Sequence, residues 1–448
     1  MLRLHRETDA MIPVRHGAKS ELTSPPADTL SPPSPHRELA SIFSTGTRST
    51  AAQGYGAVML GGDCGSLSIA RSLGRRGIPV CFITDNSNPI AKFSRYTSRS
   101  LSWAGSQHKG AVLDLIELAD RYGMREWVLF PAADAEVQLV AQNHAELSKI
   151  FRLVTPPWDV AQWALDKTLT YQRAATLGID HPKTYQPRDR REVENLDCLF
   201  PLILKPAVKE SKNVFTLAKA WRVDDRAALL SRYDEAVAAV GHDYIVIQEL
   251  IPGGGSAQFS YAAVWDRGSP IASMVARRTR QYPTDFGRTS TFVETIHNEQ
   301  VEEAATKFLI SLNYSGIAEI EFKYDARDSR YKILDVNART WTWNSLGALA
   351  GVDFPYVLWR IAMGEKVHRI RADTDARWMY LSRDILAAIS GMLAGTLTPI
   401  DYLRSYRRPI AFATFGKDDP LPALVDLPLT AWRALTRLLP SKRASSNP

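Results

Sequence analysis

The sequence predicts an α/β layer built on a parallel sheet, followed by an α+β part with antiparallel strands. Short apolar runs alternate with helically spaced segments from Ala57 to about Ile150. Beyond Tyr244 the apolar runs follow one another without the helices that parallel crossovers require. Residues 1–54 are rich in Ser, Thr and Pro, and they cannot offset the entropy of ordering. We expect a disordered leader there, or a translation start further downstream.

The first half of the chain alternates strands with helices. Strands are predicted at 57–60, 78–83 and 127–130, and helices at 67–76, 114–122 and 134–150. This β-α-β order predicts a Rossmann-like layer. Gly61, Gly62 and Gly65 follow the first strand, and Asp85 lies 20 residues after Gly65, where a ribose-binding acid would sit. Because these glycines do not form GxGxxG, a turn that needs small residues is the alternative to a dinucleotide site.

The second half begins with a helix and continues with mostly unconnected strands. Helices are predicted at 166–177 and 224–240, and strands at 200–205, 244–248, 259–265, 271–277, 317–324 and 331–337. Since few helices separate the later strands, antiparallel pairing is expected.

Composition excludes several classes of protein. The chain has 448 residues, of which 45% are hydrophobic and 23% are charged, which is ordinary globular usage. Its three cysteines, Cys64, Cys81 and Cys198, form no CxxC pair, so neither a disulfide framework nor a cysteine zinc site is expected. A reducing cytoplasm is the expected location.

Positive charge is concentrated near the C-terminus. From Lys366 onward there are 13 Lys or Arg residues against 7 Asp or Glu, although the whole chain has a net charge of only +7. This distribution indicates a basic tail rather than a basic groove, and no nucleic-acid partner is expected. The uncharged stretch 385–400 is too short and interrupted to span a bilayer. A helix over 429–439 is expected to dock onto the protein, with weak contact to an anionic membrane surface as the alternative.

Three carboxylates and a carboxamide are predicted to converge on one face of a hairpin. Two alternating runs, 316–325 and 331–337, are joined by a five-residue loop. If Asp325 opposes Tyr331, then Glu321 faces Asp335 and Glu319 faces Asn337. The same face would hold Ile317 and Ile333, and the other face Ile320, Phe322, Leu334 and Val336. Opposed carboxylates repel, which favours a bound divalent cation; a solvated face neutralised by nearby Arg or Lys is the alternative.

Lys205 lies at the end of an apolar strand, where its charge needs an anion unless the side chain reaches the surface. Together these motifs resemble the ATP-grasp superfamily of carboxylate–amine and related ligases. Four elements recur in the family's order: Asp166-Lys167 before Gly178-Ile179-x-x-Pro182; Lys205-Pro206; Val246 to Gly253; and Glu321-Phe322 followed by Leu334-Asp335-Val336-Asn337-x-Arg339.

The resemblance covers roughly Ala57 to Val367 and implies a domain organisation. A Rossmann-like pre-ATP-grasp domain would occupy 55–160, and an ATP-grasp domain 161–367. The latter would have two α+β subdomains, with a hinge near 246–253. Residues 368–448 would form a basic helical extension.

The resemblance also implies roles for individual residues. Lys167 and Lys205 would contact ATP phosphates. The hinge beside the adenine would comprise Gln248, Glu249, Leu250 and Ile251. Glu321, Asp335 and Asn337 would hold Mg²⁺, with Mn²⁺ as an alternative ion, and Arg339 would steady the acyl-phosphate or the intermediate after attack. The loop after Lys205 departs from the family, because Lys209, Ser211 and Lys212 stand where many members have glycines.

The expected function is that of an ATP-dependent ligase, which activates a small-molecule carboxylate as an acyl-phosphate and joins it to an amine. The segment 276–288 contains four arginines, of which Arg277 or Arg280 is expected to bind the substrate carboxylate or the γ-phosphate. A basic surface hairpin is the alternative. Trp341 and Trp343 would line the acceptor pocket or pack in the core. The rival functions are a non-catalytic nucleotide-binding protein and a dinucleotide-dependent oxidoreductase.

Overall fold

The computed structural model describes residues 54–85, 89–206, 213–217, 220–282, 289–373 and 375–438. The predicted leader, apart from Gly54, lies outside the described residues. Lys209, Ser211 and Lys212 also lie outside them.

A five-stranded parallel sheet with the order β3-β2-β1-β4-β5 forms the first layer. Its strands are β1 (Ala57–Leu60), β2 (Val80–Thr84), β3 (Arg99–Ser102), β4 (Val128–Pro131) and β5 (Arg152–Leu153). The accompanying helices are α1 (Cys64–Gly74), α2 (Ala111–Tyr122), α3 (Asp134–Gln142) and α4 (His144–Leu147). The helix predicted over 134–150 is divided, because Asn143 leaves the helical conformation.

The turn after β1 uses glycines for a steric reason. Gly61 and Gly62 have φ values of +69° and +78°, in the left-handed region that favours glycine. A Cβ atom on Gly61 would also lie within 2.9 Å of the Glu136 carboxyl carbon. The glycines are therefore explained by the backbone of the turn, which was the alternative to a dinucleotide site.

A four-stranded antiparallel sheet with the order β6-β9-β7-β8 follows. Its strands are β6 (Thr184–Tyr185), β7 (Leu202–Pro206), β8 (Trp221–Val223) and β9 (Ile245–Glu249). The helices of this region are α5 (Trp158–Leu165), α6 (Lys167–Thr176), α7 (Arg190–Glu194), α8 (Val214–Leu217) and α9 (Arg226–Val240). Helix α9 buries Leu229 and Tyr233 against Leu204 and Ile247 of the sheet, which leaves the opposite sheet face open.

The third sheet has eight strands in the order β14-β13-β10-β11-β12-β16-β17, with β15 paired to β11. Its strands are β10 (Gln258–Asp266), β11 (Ser269–Tyr282), β12 (Thr289–Ile296), β13 (Gly316–Asp325), β14 (Arg330–Asn337), β15 (Ile370–Arg371), β16 (Arg377–Met379) and β17 (Ile410–Phe412). The helices are α10 (Glu299–Ile310), α11 (Ser345–Leu349), α12 (Phe354–Ala362), α13 (Leu381–Leu393), α14 (Pro399–Arg404) and α15 (Leu421–Leu438). One face packs on α10 around Phe308, and the other buries Ile317 with Trp341 and Leu67 of α1.

The C-terminal extension is anchored to the parallel-sheet region. Helix α15 begins eight residues before the predicted start at Leu429. Just before it, Asp419 is buried and accepts a 2.9 Å hydrogen bond from Arg71 Nε and a 2.7 Å bond from Ser94 Oγ. Among the described residues, no helix combines the length and apolar character needed to cross a membrane.

Candidate active site

A cleft of about 610 Å³ opens between the four-stranded sheet and the eight-stranded sheet. One side is formed by Lys205 and Gln248 and by the chain from Glu249 to Gly254. The other side carries Lys167, Glu321 and Asp335. Its volume lies in the range of sites that enclose a small molecule. The two halves of the predicted site thus meet across one space.

The predicted pairing of the acidic residues is present in the β13–β14 hairpin. Glu321 directly opposes Asp335, and Glu319 opposes Asn337. The expected loop is wrong, however: Asp325 pairs with Arg330, and the connection has four residues, 326–329. A β-bulge just beyond Glu321 restores the register.

The bulge reverses the predicted faces of two side chains. Ile333 pairs with Phe322 and packs in the core with it, whereas Leu334 lines the cleft. Both positions were predicted on the opposite face, because an extra residue in one strand is not visible in a period-two pattern. The hydroxyl of Tyr171 donates a 2.9 Å hydrogen bond to the Leu334 carbonyl and holds the bulge.

The cleft carboxylates are paired with cations from other elements. Arg278 Nη1 lies 2.6 Å from Glu321 Oε2, and Lys167 forms an ion pair with Asp335. Asp166 caps α6 by accepting a 2.7 Å hydrogen bond from the Thr168 amide, which places Lys167 in the first turn, facing the hairpin. The Arg and Lys that the second sequence alternative expected beside the carboxylates are therefore present, and they lie within the cleft.

Electrostatics favour charged groups in the cleft. Burial alone would lower the pKa of Lys167, but Asp335, together with Tyr171 and Glu321, more than offsets burial and raises that pKa. Burial alone would raise the pKa of Asp335, but Lys167, together with Lys205 and Arg339, more than offsets burial and lowers that pKa. Burial, and then the charge of Glu321, raise the pKa of Glu319 to about 7. The neighbouring cations therefore do not fully compensate the negative charge of the hairpin.

The donor set fits a hard divalent cation such as Mg²⁺. Glu321 and Asp335 have side chains that are 22% and 36% exposed and face the same cleft. Magnesium is commonly held by one or two carboxylates, with water and phosphate oxygens completing its shell. Within the described ranges, no group of three or more His, Cys, Asp or Glu side chains is arranged as a metal site. A cation here would thus depend on oxygens supplied by a ligand.

Asn337 does not point a free oxygen into the cleft. Its Nδ2 atom donates to Glu319 Oε2 at 3.2 Å, and its Oδ1 atom accepts a 3.0 Å hydrogen bond from Arg339. The amide would have to rotate before it could serve as a metal ligand. In this arrangement it positions Glu319 and Arg339.

The hinge region meets Lys205 through a side-chain contact. Lys205 Nζ donates a 2.8 Å hydrogen bond to Gln248 Oε1. The amides of Glu249 and Leu250 donate to the carbonyls of Lys183 and Pro201, at 2.9 and 3.2 Å. Recognition of an adenine edge by those two amides would require them to change partners. Ile251 is buried and lines the cleft.

The structure brings Arg278 to the acidic cluster instead of Arg277 or Arg280. Arg277 lies 3.4 Å from Glu294, and Arg280 is bound to Asp384 of α13 at 2.8 Å. A bulge in β11 between Arg277 and Arg280 separates these three arginines onto different faces. Arg278 alternates with Met274 and Ala276 and so lies on the same face of β11 as these two residues. This pattern could have identified Arg278 only if the strand register had been known.

Arg339 connects the hairpin to the parallel-sheet region. Its Nε atom lies 2.6 Å from Asp134 Oδ1 at the start of α3. Trp341 and Trp343 are both buried and pack in the core near Phe354. The two tryptophans therefore pack in the core and do not line an acceptor pocket.

The fold and the cleft point to one class of protein: the chain resembles the ATP-grasp superfamily. Residues 283–370 match the family described as "Carbamoyl-phosphate synthase L chain, ATP binding domain". A D-aspartate ligase of Enterococcus faecium (strain Aus0004) is 23% identical over 302 residues, covering 63% of this chain and 70% of the relative.

Solved structures show the same fold. The biotin carboxylase domain of the Hydrogenobacter thermophilus 2-oxoglutarate carboxylase, solved with MgADP and bicarbonate, has a TM-score of 0.57 at 16% identity, covering 72% of this chain and 74% of its own. An L-amino acid ligase from Bacillus licheniformis has a TM-score of 0.53 at 15% identity, covering 69% and 74%.

Proposed function

We propose that this chain is an ATP-dependent ligase that activates a carboxylate as an acyl-phosphate and joins it to an amine. The observation that carries the proposal is the cleft, where Lys205 from one sheet faces Glu321, Asp335 and Lys167 on the other side. Residues 55–160 would be the pre-ATP-grasp domain, 161–367 the ATP-grasp domain and 368–448 its extension. Because the reaction consumes ATP, we place it in the cytoplasm.

The proposed reaction has two steps. An oxygen of the substrate carboxylate attacks the γ-phosphorus, and the bond to the β-phosphate oxygen breaks, giving acyl-phosphate and ADP. The amine nitrogen then attacks the acyl carbon, phosphate leaves with its electron pair, and the nitrogen loses a proton. No covalent bond to the enzyme is needed, so the protein contributes by positioning and by neutralising charge.

Particular side chains would perform these tasks. Glu321 and Asp335 would hold Mg²⁺, which supplies charge neutralisation at the phosphates when it is bound. Lys167 and Lys205 would bind phosphate oxygens, and Gln248 to Ile251 would border the adenine. Arg278, which already contacts Glu321, would fix that carboxylate.

Arg339 would serve the acyl-transfer end of the cleft. It is held between Asn337 and Asp134, so its guanidinium lies where the hairpin meets the parallel-sheet region. Amino acids are the first acids to test, because the D-aspartate ligase and the L-amino acid ligase take their names from them.

Ligand-induced thermal stabilisation tests the nucleotide site. ATP with Mg²⁺ should raise the melting temperature of the full chain, whereas NADH should not. Asp335→Asn should abolish the response to ATP with Mg²⁺. The matched control is Asp234→Asn, which changes an exposed aspartate paired with Arg190 and should leave the response intact. Stabilisation by NADH alone would overturn the assignment.

Turnover separates a ligase from a non-catalytic nucleotide-binding protein. Release of ADP and phosphate should depend on both an acid and an amine, with D-aspartate and the L-amino acids as first acids. The product should contain a new amide bond, detected by mass spectrometry. If ATP binds but no acid–amine pair from a broad panel yields ADP, the non-catalytic alternative holds.

A further inference from the structure

The C-terminal helices expose most of the large apolar side chains found on the surface. Of 19 such exposed side chains in the described part of the chain, 12 lie between Leu381 and Leu427. We call this surface the apolar face; its most exposed members are Leu393 on α13 (85%), Leu403 on α14 (67%), and Leu424 (70%) and Leu427 (63%) on α15. Monomeric proteins rarely expose apolar surface in such concentration without a binding role.

Two buried polar clusters join these helices into one surface layer. Arg280 binds Asp384 of α13 at 2.8 Å and Ser405, just after α14, at 2.9 Å. Asp426 of α15 accepts a 2.6 Å hydrogen bond from Ser382 of α13 and a 2.8 Å bond from Tyr380. Helix α13 is therefore linked to α14 and to α15, and the exposed leucines belong to neighbouring helices.

The exposed ridge of α13 has helical spacing. Leu381, Ile385, Ile389 and Leu393 repeat every fourth residue and are all exposed, while Ala387, Ala388 and Gly391 face the protein. No part of the chain that the structure describes covers this outer stripe. Its burial would need a further surface.

The acidic residues around the apolar face are either buried or paired with an arginine. Residues 381–438 contain seven Lys or Arg and five Asp. Asp384, Asp419 and Asp426 are buried, and the exposed Asp401 and Asp418 are bound to Arg404 and Arg75. Arg407 and Lys417 are exposed, and neither makes an ion pair with any residue that the structure describes. Arg407 directly follows the exposed Tyr406, and Lys417 lies two residues after the exposed Phe415, so positive charge lies beside the apolar face.

We propose that the apolar face binds an anionic lipid surface. Helices that lie in a membrane interface combine exposed leucine and isoleucine with Lys or Arg, because the apolar side chains enter the acyl boundary and the cations meet lipid phosphates. The same positive border disfavours a second copy of this chain as the occupant, since two such faces would repel each other. Contact with an anionic membrane surface, which the sequence suggested as an alternative for the last helix, is therefore proposed for α13 and α14 as well.

Vesicle co-sedimentation of the full chain tests this proposal. Binding is expected to phosphatidylcholine vesicles that contain about 30% phosphatidylserine and to be much weaker with phosphatidylcholine alone. It should weaken at about 0.5 M NaCl, because salt screens the charged component. No sedimentation with the anionic vesicles would overturn the proposal.

Variants distinguish binding through the apolar face from nonspecific adsorption to vesicles. Leu393→Glu and Leu424→Glu should each reduce vesicle binding roughly tenfold or more, because a leucine that would enter the lipid is replaced by a charge. Leu113→Glu is the matched control, since Leu113 is 62% exposed on α2, outside the apolar face, and its variant should bind normally. Arg407→Glu should lower binding, whereas Arg121→Glu on α2 should not.

Two further results would contradict the proposal. One is equal binding by wild type, Leu393→Glu and Leu424→Glu. The other is a stable dimer in light scattering that Leu393→Glu dissociates, which would make a second copy the occupant. Circular dichroism and the melting temperature establish that each variant is folded, and substitutions of exposed residues should leave both unchanged.

Discussion

Arg278 Nη1 lies 2.6 Å from Glu321 Oε2, and this buried guanidinium also faces Glu319. Burial opposes its charge, but Glu321 and Glu319 outweigh burial and raise its pKa further. An arginine on β11 therefore neutralises part of the negative charge of the acidic hairpin.

Replacing Arg278 should damage catalysis more than replacing its neighbour. Arg278→Gln removes the cation that fixes Glu321, so we expect ATP-dependent turnover to fall about a hundredfold or more, the size of a lost charge-assisted contact in a buried site. Arg277→Gln loosens a half-exposed contact with Glu294 and should have little effect on turnover. Initial rates of ADP formation for both variants measure the difference, and equal losses would contradict the placement of Arg278.

Lys205 should be required for nucleotide binding. Its ammonium group donates to Gln248 in the cleft, so Lys205→Met should remove the thermal stabilisation by ATP with Mg²⁺ while leaving the unliganded melting temperature nearly unchanged. Lys183→Met, on the exposed chain before β6, is the control and should retain the stabilisation. A normal response by Lys205→Met would remove this lysine from the phosphate site.

Arg280 should stabilise the fold and not serve the reaction. Asp384 is fully buried and holds Arg280 through two contacts, at 2.8 and 3.0 Å. Asp384→Asn would leave a buried guanidinium without its counter-charge, so the free energy of unfolding in urea should fall by about 3–5 kcal/mol. Asp120→Asn, which breaks the exposed pair with Arg125, should change it far less. Equal losses would show that the Arg280 pair is not buried in solution.

Thiol reactivity should distinguish the three cysteines. Burial raises the pKa of Cys64 and of Cys81 to about 12, so at pH 8 both should stay protonated and enclosed. Cys198 is half-buried. One thiol per chain should react rapidly with a chromogenic disulfide in the native state, and three after denaturation. Cys198→Ser should eliminate the rapid phase; a rapid phase that survives would place Cys64 or Cys81 at the surface.

The residues opposed across the hairpin were predictable, because side-chain alternation alone aligns Glu321 with Asp335 once the loop length is roughly right. The prediction succeeded although Asp325 pairs one residue earlier than expected, since the bulge cancels that error at the site. The facing of Ile333 and Leu334 was not predictable, because a bulge depends on tertiary packing, here with Tyr171.

The arginine that contacts the acidic cluster was not predictable for a related reason. Arg277, Arg278 and Arg280 are nearly equivalent as local sequence, and their faces are decided by a bulge and by partners such as Asp384, which lies more than a hundred residues away. The existence of a charged cleft was predictable, because Lys205 and the acidic hairpin each require opposite charge nearby. Its shape depends on how two sheets meet, which no local pattern encodes.

The bond between Arg71 and Asp419 joins groups 348 positions apart. During synthesis, the helix that carries Arg71 leaves the ribosome long before Asp419 is translated. The parallel-sheet region therefore cannot bury Arg71 against its counter-charge until the C-terminal part of the chain has been added. In truncated forms that end before Asp419, the parallel-sheet region should therefore be destabilised and more readily degraded by proteases. Affinity handles and fusions are better placed at the front of the polypeptide.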